Sequence, residues 1–231
     1  MTDRELLDEV RRMRAAGAPP KAIARALGVR PAAVAPLVRR VAAEASAELP
    51  IEEAEVVGCW VSPAWSRELL VQRRDGWIDV DLGPAGPAGL ALVLVARGGR
   101  HDRVSVCGYL VDTFCLGVKN VIGPEPMRKR DLPLFVRTYF TAFPAPALRA
   151  PIDLAQHLVH GAVAYAAGLG FEPHPDFAAA RGHLGELSGS CAIAFGREGR
   201  PLYVAGPHDD PIAVMETLQA TVGSGGFAVA A

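Results

Sequence analysis

Two neighbouring apolar segments with a glycine pair between them constrain the fold of this chain most. Residues 90–96, LALVLVA, form a continuous apolar run, and residues 103–111 form a second strand-like segment. Gly98 and Gly99 stand between the two, as in a hairpin connection. A run without polar interruptions is typical of a central strand that is covered on both faces. The sequence therefore predicts a β-sheet that carries helices, within an α+β fold.

Further strands and helices are predicted on both sides of this pair. Strand patterns occur at 56–61, 77–82, 191–195 and 201–205. The last two bracket a glycine-containing turn, which predicts a second hairpin. Helical patterns occur at 132–142, 152–169, 176–187 and 210–222. Together these patterns predict an antiparallel sheet packed with helices over 56–222, followed by a flexible tail at 223–231.

Composition excludes several classes of protein. The chain has 231 residues, of which 50% are hydrophobic and 21% charged, as in a folded globular protein. No uninterrupted apolar run approaches the roughly 18 residues of a membrane helix, and the N-terminus lacks a signal-peptide pattern. We therefore expect a cytoplasmic protein with no membrane partner. The four cysteines show no CxxC spacing, so reduced thiols are predicted at Cys59, Cys107, Cys115 and Cys191.

Charge is distributed unevenly along the chain. The formal net charge is −1, but residues 10–43 contain eight basic residues and no acidic one. The eight are Arg11, Arg12, Arg14, Lys21, Arg25, Arg30, Arg39 and Arg40. Such a concentration of positive charge indicates binding to a polyanion. Residues 45–55 then mix small and acidic residues with Pro50, which predicts that a first domain, 1–48, ends here.

The basic segment has the pattern of three short helices, predicted at 4–16, 21–27 and 31–45. Gly28 breaks the second helix in the manner of a left-handed C-terminal cap. Ala24, four residues earlier, allows two helices to approach closely. A small apolar core would join the three helices through Ile23, Leu27, Val29, Val34 and Leu37.

With Gly28 at the turn and this core, the segment resembles the helix-turn-helix family of DNA-binding proteins. The resemblance implies a three-helix domain whose third helix meets DNA. It also implies a set of DNA-contacting side chains: Lys21, Arg25, Arg30, Arg39 and Arg40. Three segments of the second domain, LVDTFCLGVKN, YAAGLGFEPHPDF and GRPLYVAGP, resemble parts of uncharacterised bacterial proteins that contain a helix-turn-helix. That second resemblance implies no site residues.

The third helix departs from the family pattern. Ala32, Ala33, Ala35 and Pro36 occupy positions that would meet base edges, and none can make a bidentate hydrogen bond to a base. Either Arg30 reads the bases, or binding is weakly specific and specificity comes from the second domain or from dimerisation. A helical hairpin used for dimerisation is the alternative for the whole segment.

A candidate catalytic set follows the apolar strand at 103–111. Asp112 could cap a helix that starts at Thr113, which would put Cys115 in the first turn. There the partial positive charge of the helix N-terminus would lower the pKa of the thiol, with Lys119 as a nearby cation. The alternative is a buried Cys115 that packs as a small apolar side chain, with Asp112 serving only as a cap.

A candidate metal site lies on the predicted helix 152–169, opposite its apolar stripe. Asp153, His157 and His160 stand at i, i+4 and i+7, a spacing that could supply three ligands to a divalent metal. Three further residues could complete or replace the set: His174, Asp176 and His183. The alternative is a solvated polar helix face that binds no metal.

A second candidate metal site involves the predicted strand 77–82, whose even-numbered apolar residues would face the core. Asp79 and Asp81 share the other face and, with Asp112, could hold Mg²⁺ for phosphodiester chemistry. The outward face of an antiparallel strand gives the same pattern without a metal.

The sequence supports one leading function. We expect a DNA-binding protein, a transcriptional regulator whose second domain dimerises or senses a small-molecule ligand. The alternative is a metal-dependent enzyme that acts on nucleic acid or nucleotides and uses the helix-turn-helix as a targeting module; a scaffold whose first domain binds protein is a third reading. The expected partners are DNA, a second copy of the chain and a small molecule, and the sequence identifies no cofactor.

Overall fold

The chain divides into two structural units. The computed structural model describes residues 3–16, 18–30, 34–38, 50–83, 86, 88–99 and 102–230. Residue contacts separate Met1–Leu49 from Pro50–Ala231. Each unit contains hydrophobic clusters of its own.

The first unit contains two helices and a third helical segment. Helix α1 covers Asp3–Ala15 and helix α2 covers Pro20–Ala26, and residues 34–38 are also helical. The rest of the predicted third helix, 31–33 and 39–45, lies outside the described residues.

The turn after α2 is built on Gly28, which has a φ of 65°. The N–H of Gly28 donates to the carbonyl of Arg25 at 3.3 Å, and the N–H of Val29 donates to the carbonyl of Ala24 at 3.1 Å. This pair of bonds satisfies the last carbonyls of the helix in a Schellman motif. Glycine tolerates the positive φ because it has no Cβ, so the predicted glycine cap is confirmed.

A small hydrophobic cluster joins the helical segments of the first unit. Its buried members are Leu7, Val10, Ile23, Ala24 and Val34. Met13, Ala18, Leu27, Val29, Leu37 and Val38 pack against them. All five core residues expected from the sequence belong to this cluster. Ile23, Val34 and Leu37 lie in the helical segments, whereas Leu27 and Val29 belong to the turn between them.

The second unit is built on a five-stranded antiparallel sheet. The strands in chain order are β1 (Val56–Val61), β2 (Leu70–Val71), β3 (Leu90–Gly98), β4 (Arg103–Asp112), β5 (Gly117–Arg128), β6 (Leu148–Arg149), β7 (Ile193–Ala194), β8 (Leu202–Val204) and β9 (Ala228–Ala230). In the main sheet the order is β5, β4, β3, β1 and β6. Strands β2 and β7 form a small antiparallel sheet, and β8 and β9 form a small parallel one. The predicted hairpin of β3 and β4 is confirmed, with Val93 opposite Tyr109.

Four helices accompany these sheets. They are α3 (Leu132–Tyr139), α4 (Ile152–Gly168), α5 (Phe177–Ala180) and α6 (Pro211–Val222). Short 3₁₀ turns cover Ile51–Glu53, Lys129–Asp131 and Arg181–His183. In the described part of the chain, no helix has both the length and the apolarity needed to cross a membrane.

The two faces of β3 belong to two different hydrophobic clusters. Val93 lies in the cluster that contains Leu158 of α4, whereas Leu94 lies in the cluster that contains Val136 of α3. Successive side chains of a strand point to opposite faces, so α4 and α3 cover opposite sides of the sheet. This arrangement explains the continuous apolar run of β3, and the mixed helix and sheet content agrees with the predicted α+β class.

Residues 77–82 do not form the predicted strand. The carboxylate of Asp79 accepts hydrogen bonds from the backbone N–H groups of Ala64 and Ser66, at 2.6 and 2.9 Å. Because these bonds tie the segment to a neighbouring turn, it runs as an irregular loop. Ile78, expected in the core, is 61% exposed.

The residues after Asp112 form a four-residue turn and then β5, where the sequence predicted a helix. Gly117 begins β5 with a φ of 68°, and a Cβ on it would lie 2.8 Å from the Cβ of Ala166 and 3.0 Å from the carbonyl oxygen of Ala162. Helix α4 therefore packs directly against the start of β5, and only glycine fits between them.

The C-terminal part of the second unit also differs from the prediction. The turn predicted around 196–200 is present, with an antiparallel bridge between Arg197 and Arg200. The predicted pairing of its flanking strands is wrong, because β7 pairs with β2 and β8 pairs with β9. The helix predicted over 176–187 is limited to α5 and the following 3₁₀ turn. The expected tail, 223–231, contains β9, whose Ala228 N–H donates to the carbonyl of Pro201 at 2.9 Å.

Candidate functional site

A cleft of about 630 Å³ lies beside the turn that joins β4 to β5. Its walls come from β3, β4, β5 and residues 204–209. The polar side chains on these walls are Asp112, Lys119, Asn120, His174, His208 and Asp209, and the large apolar ones are Leu90, Leu110, Phe114 and Val204. A cavity of this size, with apolar walls and a few polar groups, is the usual form of a small-molecule site.

Asp112 is held in place by the turn that follows it. Its Oδ1 accepts hydrogen bonds from the backbone N–H groups of Phe114 and Cys115, both at 2.9 Å. The N–H of Thr113 donates to the carbonyl of Gly89 at 2.8 Å and fixes the turn against β3. Backbone N–H groups thus fix the position of the Asp112 carboxylate, and no neighbouring side chain is needed to hold it.

The surroundings of Asp112 favour its protonated form more than water does. The residue is 5% exposed. Burial raises the pKa of its carboxyl to about 6, against the opposing effects of the Phe114 and Cys115 amides and the charge of Lys119. Asp112 is therefore a buried carboxylate that changes charge close to neutral pH.

Lys119 and Asp209 form an ion pair in the same cleft. The Nζ of Lys119 lies 2.7 and 2.8 Å from the two carboxylate oxygens of Asp209, and the N–H of Gly206 donates to Asp209 Oδ2 at 2.8 Å. Burial opposes ionisation of Asp209, but the hydrogen bonds from Lys119 and Gly206 outweigh it and hold its pKa below the usual value. A Cβ on Gly206 would lie 2.8 Å from Lys119 Nζ, so the glycine allows the pair to form.

Asp209 is a functional candidate that sequence reasoning missed. From the sequence, residues 206–210 are expected to cap the last helix, with His208 as the site candidate of the segment. The capping role belongs to Asp210, whose side chain accepts from the N–H groups of Ile212 and Ala213. The one local sign of a second role is that Asp209 precedes a residue that already caps the helix.

Cys115 does not have the character of a nucleophile. It is fully buried and lies in a turn, not in the first turn of a helix. Burial and the neighbouring charge of Asp112 raise the pKa of the thiol to about 12, so the expected lowering is wrong. Cys115 packs with Leu169, Tyr203 and Leu218 as a small apolar side chain, and Lys119 pairs with Asp209.

The three metal candidates on α4 are each engaged by another part of the second unit. Asp153 accepts from Trp77 Nε1 at 3.1 Å, His157 Nδ1 accepts from the N–H of Ala192 at 3.0 Å, and His160 Nε2 lies 2.8 Å from the carbonyl oxygen of Gly185. His157 is 1% exposed, so this side of α4 is packed against protein and is not the polar face that the sequence predicted. Among the described residues, no three His, Cys, Asp or Glu side chains are grouped as metal ligands.

The remaining histidine and aspartate candidates are dispersed. His183 is buried, with Nε2 2.9 Å from Ser105 Oγ, and burial together with the Arg97 charge lowers its pKa to about 4. His174 Nδ1 lies 3.8 Å from the carboxylate of Asp176. The expected grouping of Asp79 and Asp81 with Asp112 is not formed, because Asp79 and Asp81 line a separate depression with Arg67.

The DNA-binding candidates that are described all lie at the surface of the first unit. Lys21, Arg25 and Arg30 are exposed, whereas Arg39 and Arg40 lie outside the described residues. On α1, Arg11 pairs with Asp8 and Arg12 pairs with Glu9. These two pairs use basic residues at the start of the basic segment. The basic residues that follow, up to position 43, have no acidic residue among them in the sequence.

Comparison of the chain with protein-family models, with curated proteins and with solved structures finds no match in any of the three. Two features of the described residues bear on function: the exposed basic side chains of the first unit and the cleft of the second.

Proposed function

We propose that this chain is a DNA-binding regulator whose first unit contacts the DNA backbone and whose second unit binds a small molecule in the cleft beside Asp112. The proposal rests on helix α2, the glycine turn at Gly28 and the helical segment 34–38. Lys21, Arg25 and Arg30 are exposed on this part of the chain.

The geometry of the first unit supports DNA contact in two ways. The Schellman turn at Gly28 and the cluster of Ile23, Ala24 and Val34 give the helix-turn-helix-like part a fixed local geometry. No acidic residue lies between positions 10 and 43 of the sequence. Arg11 and Arg12 pair with Asp8 and Glu9, and the exposed charges available to phosphates among the described residues include those of Lys21, Arg25 and Arg30. Side chains of this kind position a protein on DNA and carry little base specificity.

The second unit supports ligand sensing more than catalysis. The cleft combines apolar walls with a buried carboxylate and an ion pair, which suits recognition of a small molecule. The metal candidates Asp153, His157 and His160 hydrogen-bond to three different parts of the unit, and among the described residues no three such side chains are grouped as metal ligands.

The test of DNA binding is a salt titration of the full-length chain with labelled random duplex DNA, followed by fluorescence anisotropy. Replacing Lys21, Arg25 and Arg30 together by Gln should weaken binding to all sequences and reduce the slope of log K against log salt by up to about 3.

The matched control replaces Arg128, Lys129 and Arg130 by Gln, which removes the same charge from an exposed segment of the second unit. The proposal expects this variant to keep most of the affinity. If the wild-type chain does not bind duplex even at about 50 mM salt, or if both triple variants lose the same affinity, the DNA-binding assignment is wrong.

A further inference from the structure

We infer that the cleft beside Asp112 binds a small organic cation, an amine that carries an apolar group. The inference rests on the proposed function only in treating the second unit as the ligand-binding part of the chain. It is drawn from the charges, the hydrogen bonds and the apolar walls of the cleft.

Among the described residues of the cleft, one carboxylate has no ion-pair partner. Asp112 and Asp209 are the acidic residues on its walls, and Lys119 is the lysine. Lys119 contacts both oxygens of Asp209, at 2.7 and 2.8 Å, and is committed to that residue. The remaining negative charge on the described walls is that of Asp112.

Asp112 is also the group to which a ligand cation would matter most. An ionised carboxylate that is 5% exposed has lost most of its hydration, and two backbone N–H groups on Oδ1 replace only part of it. A protonated amine would restore the missing interaction through a charge-assisted hydrogen bond, which is among the stronger polar contacts in proteins.

The walls of the cleft indicate the rest of the ligand. Leu90, Leu110, Phe114 and Val204 provide apolar surface within the same cavity as Asp112. A volume of about 630 Å³ lies in the range of sites that enclose small organic molecules. An amine attached to an aliphatic or aromatic group would satisfy both the carboxylate and these side chains.

An anionic ligand fits the cleft less well. It would have to take Lys119 from Asp209, whose carboxylate is held from the other side by the N–H of Gly206 at 2.8 Å. Displacing Asp209 would leave a second carboxylate unpaired in a partly buried position, where its side chain is 8% exposed.

The experiment compares three probes that share a phenyl group: 2-phenylethylamine, 2-phenylethanol and 3-phenylpropanoate. Their dissociation constants for the full-length chain are measured at pH 7.5 by protein-observed NMR. We expect the amine to bind most tightly. In Asp112→Asn, affinity for the amine should fall about tenfold or more, while affinity for the alcohol should change little.

The matched control is Asp81→Asn, which removes an exposed carboxylate from the separate depression beside Arg67. It should bind all three probes as the wild-type chain does. An equal loss in Asp81→Asn and Asp112→Asn would show a general charge effect and overturn the inference.

A pH series on the wild-type chain tests the inference without relying on a variant. Affinity for the amine should fall as the pH drops below about 6, because Asp112 becomes protonated. Other titratable groups near Asp112 are Lys119, Cys115, Tyr165, Tyr203, Asp209 and the cleft histidines His174 and His208. The same series on Asp112→Asn measures the effect of these other groups. We expect the fall in amine affinity below about pH 6 to be absent from this variant.

Three results would overturn the inference: tighter binding of the propanoate than of the amine, unchanged amine binding in Asp112→Asn, or no binding of any probe at millimolar concentration. DNA affinity is measured separately on the same protein. Amine binding without DNA binding would remove the proposed function and leave the ligand class standing, and DNA binding without amine binding would do the reverse.

Discussion

Asp112 and Asp209 line the same cleft, yet their surroundings move their pKa values in opposite directions. Burial opposes the ionisation of both carboxyl groups. Asp209 accepts hydrogen bonds from Lys119 and a backbone N–H group, whereas Asp112 accepts them from backbone N–H groups and feels only the charge of Lys119. Asp112 is also the more deeply buried of the two, so burial and the absence of a close cationic partner act in the same direction on it. Two carboxylates with separated pKa values are a frequent mark of a functional site.

The free energy of unfolding should depend on pH through Asp112. Its pKa is about 6 in the folded chain against an ordinary aspartate value of 3.8, so the folded state binds the proton more tightly and the free energy of unfolding falls as the pH rises from about 4 to 6. Two pKa units correspond to at most about 3 kcal/mol. Asp112→Asn should remove this pH dependence and stabilise the chain at pH 7, as measured by urea unfolding between pH 4 and 8.

Asp209 provides the internal contrast for this measurement. Its lowered pKa contributes stability that is present at neutral pH and is lost as the pH falls below the usual aspartate range. The two residues therefore act in different pH windows. An Asp112→Asn variant that keeps the wild-type slope between pH 4 and 6 would contradict the assignment of that slope to Asp112.

Among the elements, those with a strong apolar pattern were predictable and those held by polar contacts were not. Strands β3 and β4 are long apolar segments, and α4 carries a continuous helical stripe. Strand β5 was missed because Pro124 and Pro126, together with exposed Glu125, hide its strand character in the sequence. Part of the cleft could be predicted: Asp112 lies at the end of the strand that the sequence predicts, and Lys119 lies seven residues further on. Asp209 lies 90 residues from its partner Lys119, and no local sequence pattern joins the two.

The loop 77–82 should depend strongly on Asp79. Its carboxylate accepts four hydrogen bonds, from the N–H groups of Ala64, Ser66 and Val80 and from the hydroxyl of Ser66. These bonds hold a turn in which Ala64 has a φ of 60°, a conformation that is costly for a residue with a Cβ. Asp79→Ala should lower the free energy of unfolding by about 2 kcal/mol or more, because several donors lose their acceptor.

Asp81→Ala is the control for this loop. Asp81 is exposed, and its ion pair with Arg67 spans 3.3 Å at the surface, so its removal should cost less than about 1 kcal/mol. Urea unfolding of both variants measures how much each substitution lowers the free energy of unfolding. Equal losses would mean that the loop is held by general charge effects and not by the acceptor role of Asp79.

For the whole molecule, the separation into two units predicts separable functions. The second unit has its own core, since α4 and α3 cover the two faces of its sheet with clusters that lie entirely within Pro50–Ala231. A chain that begins at Pro50 should therefore show cooperative urea unfolding. It should also keep its affinity for the amine probe, because the residues that line the cleft all lie in the second unit.

The same truncation should remove DNA binding. The second unit has no excess of positive charge for phosphates, because residues 50–231 contain 15 basic residues against 19 acidic ones. Anisotropy of labelled duplex at low salt should show at least a tenfold loss of affinity, on the order expected when several phosphate contacts disappear. If the truncated chain keeps the full DNA affinity, the first unit has no share in the interface and the phosphate contacts must come from the second unit. Exposed Arg128, Lys129 and Arg130 would then be the residues to test.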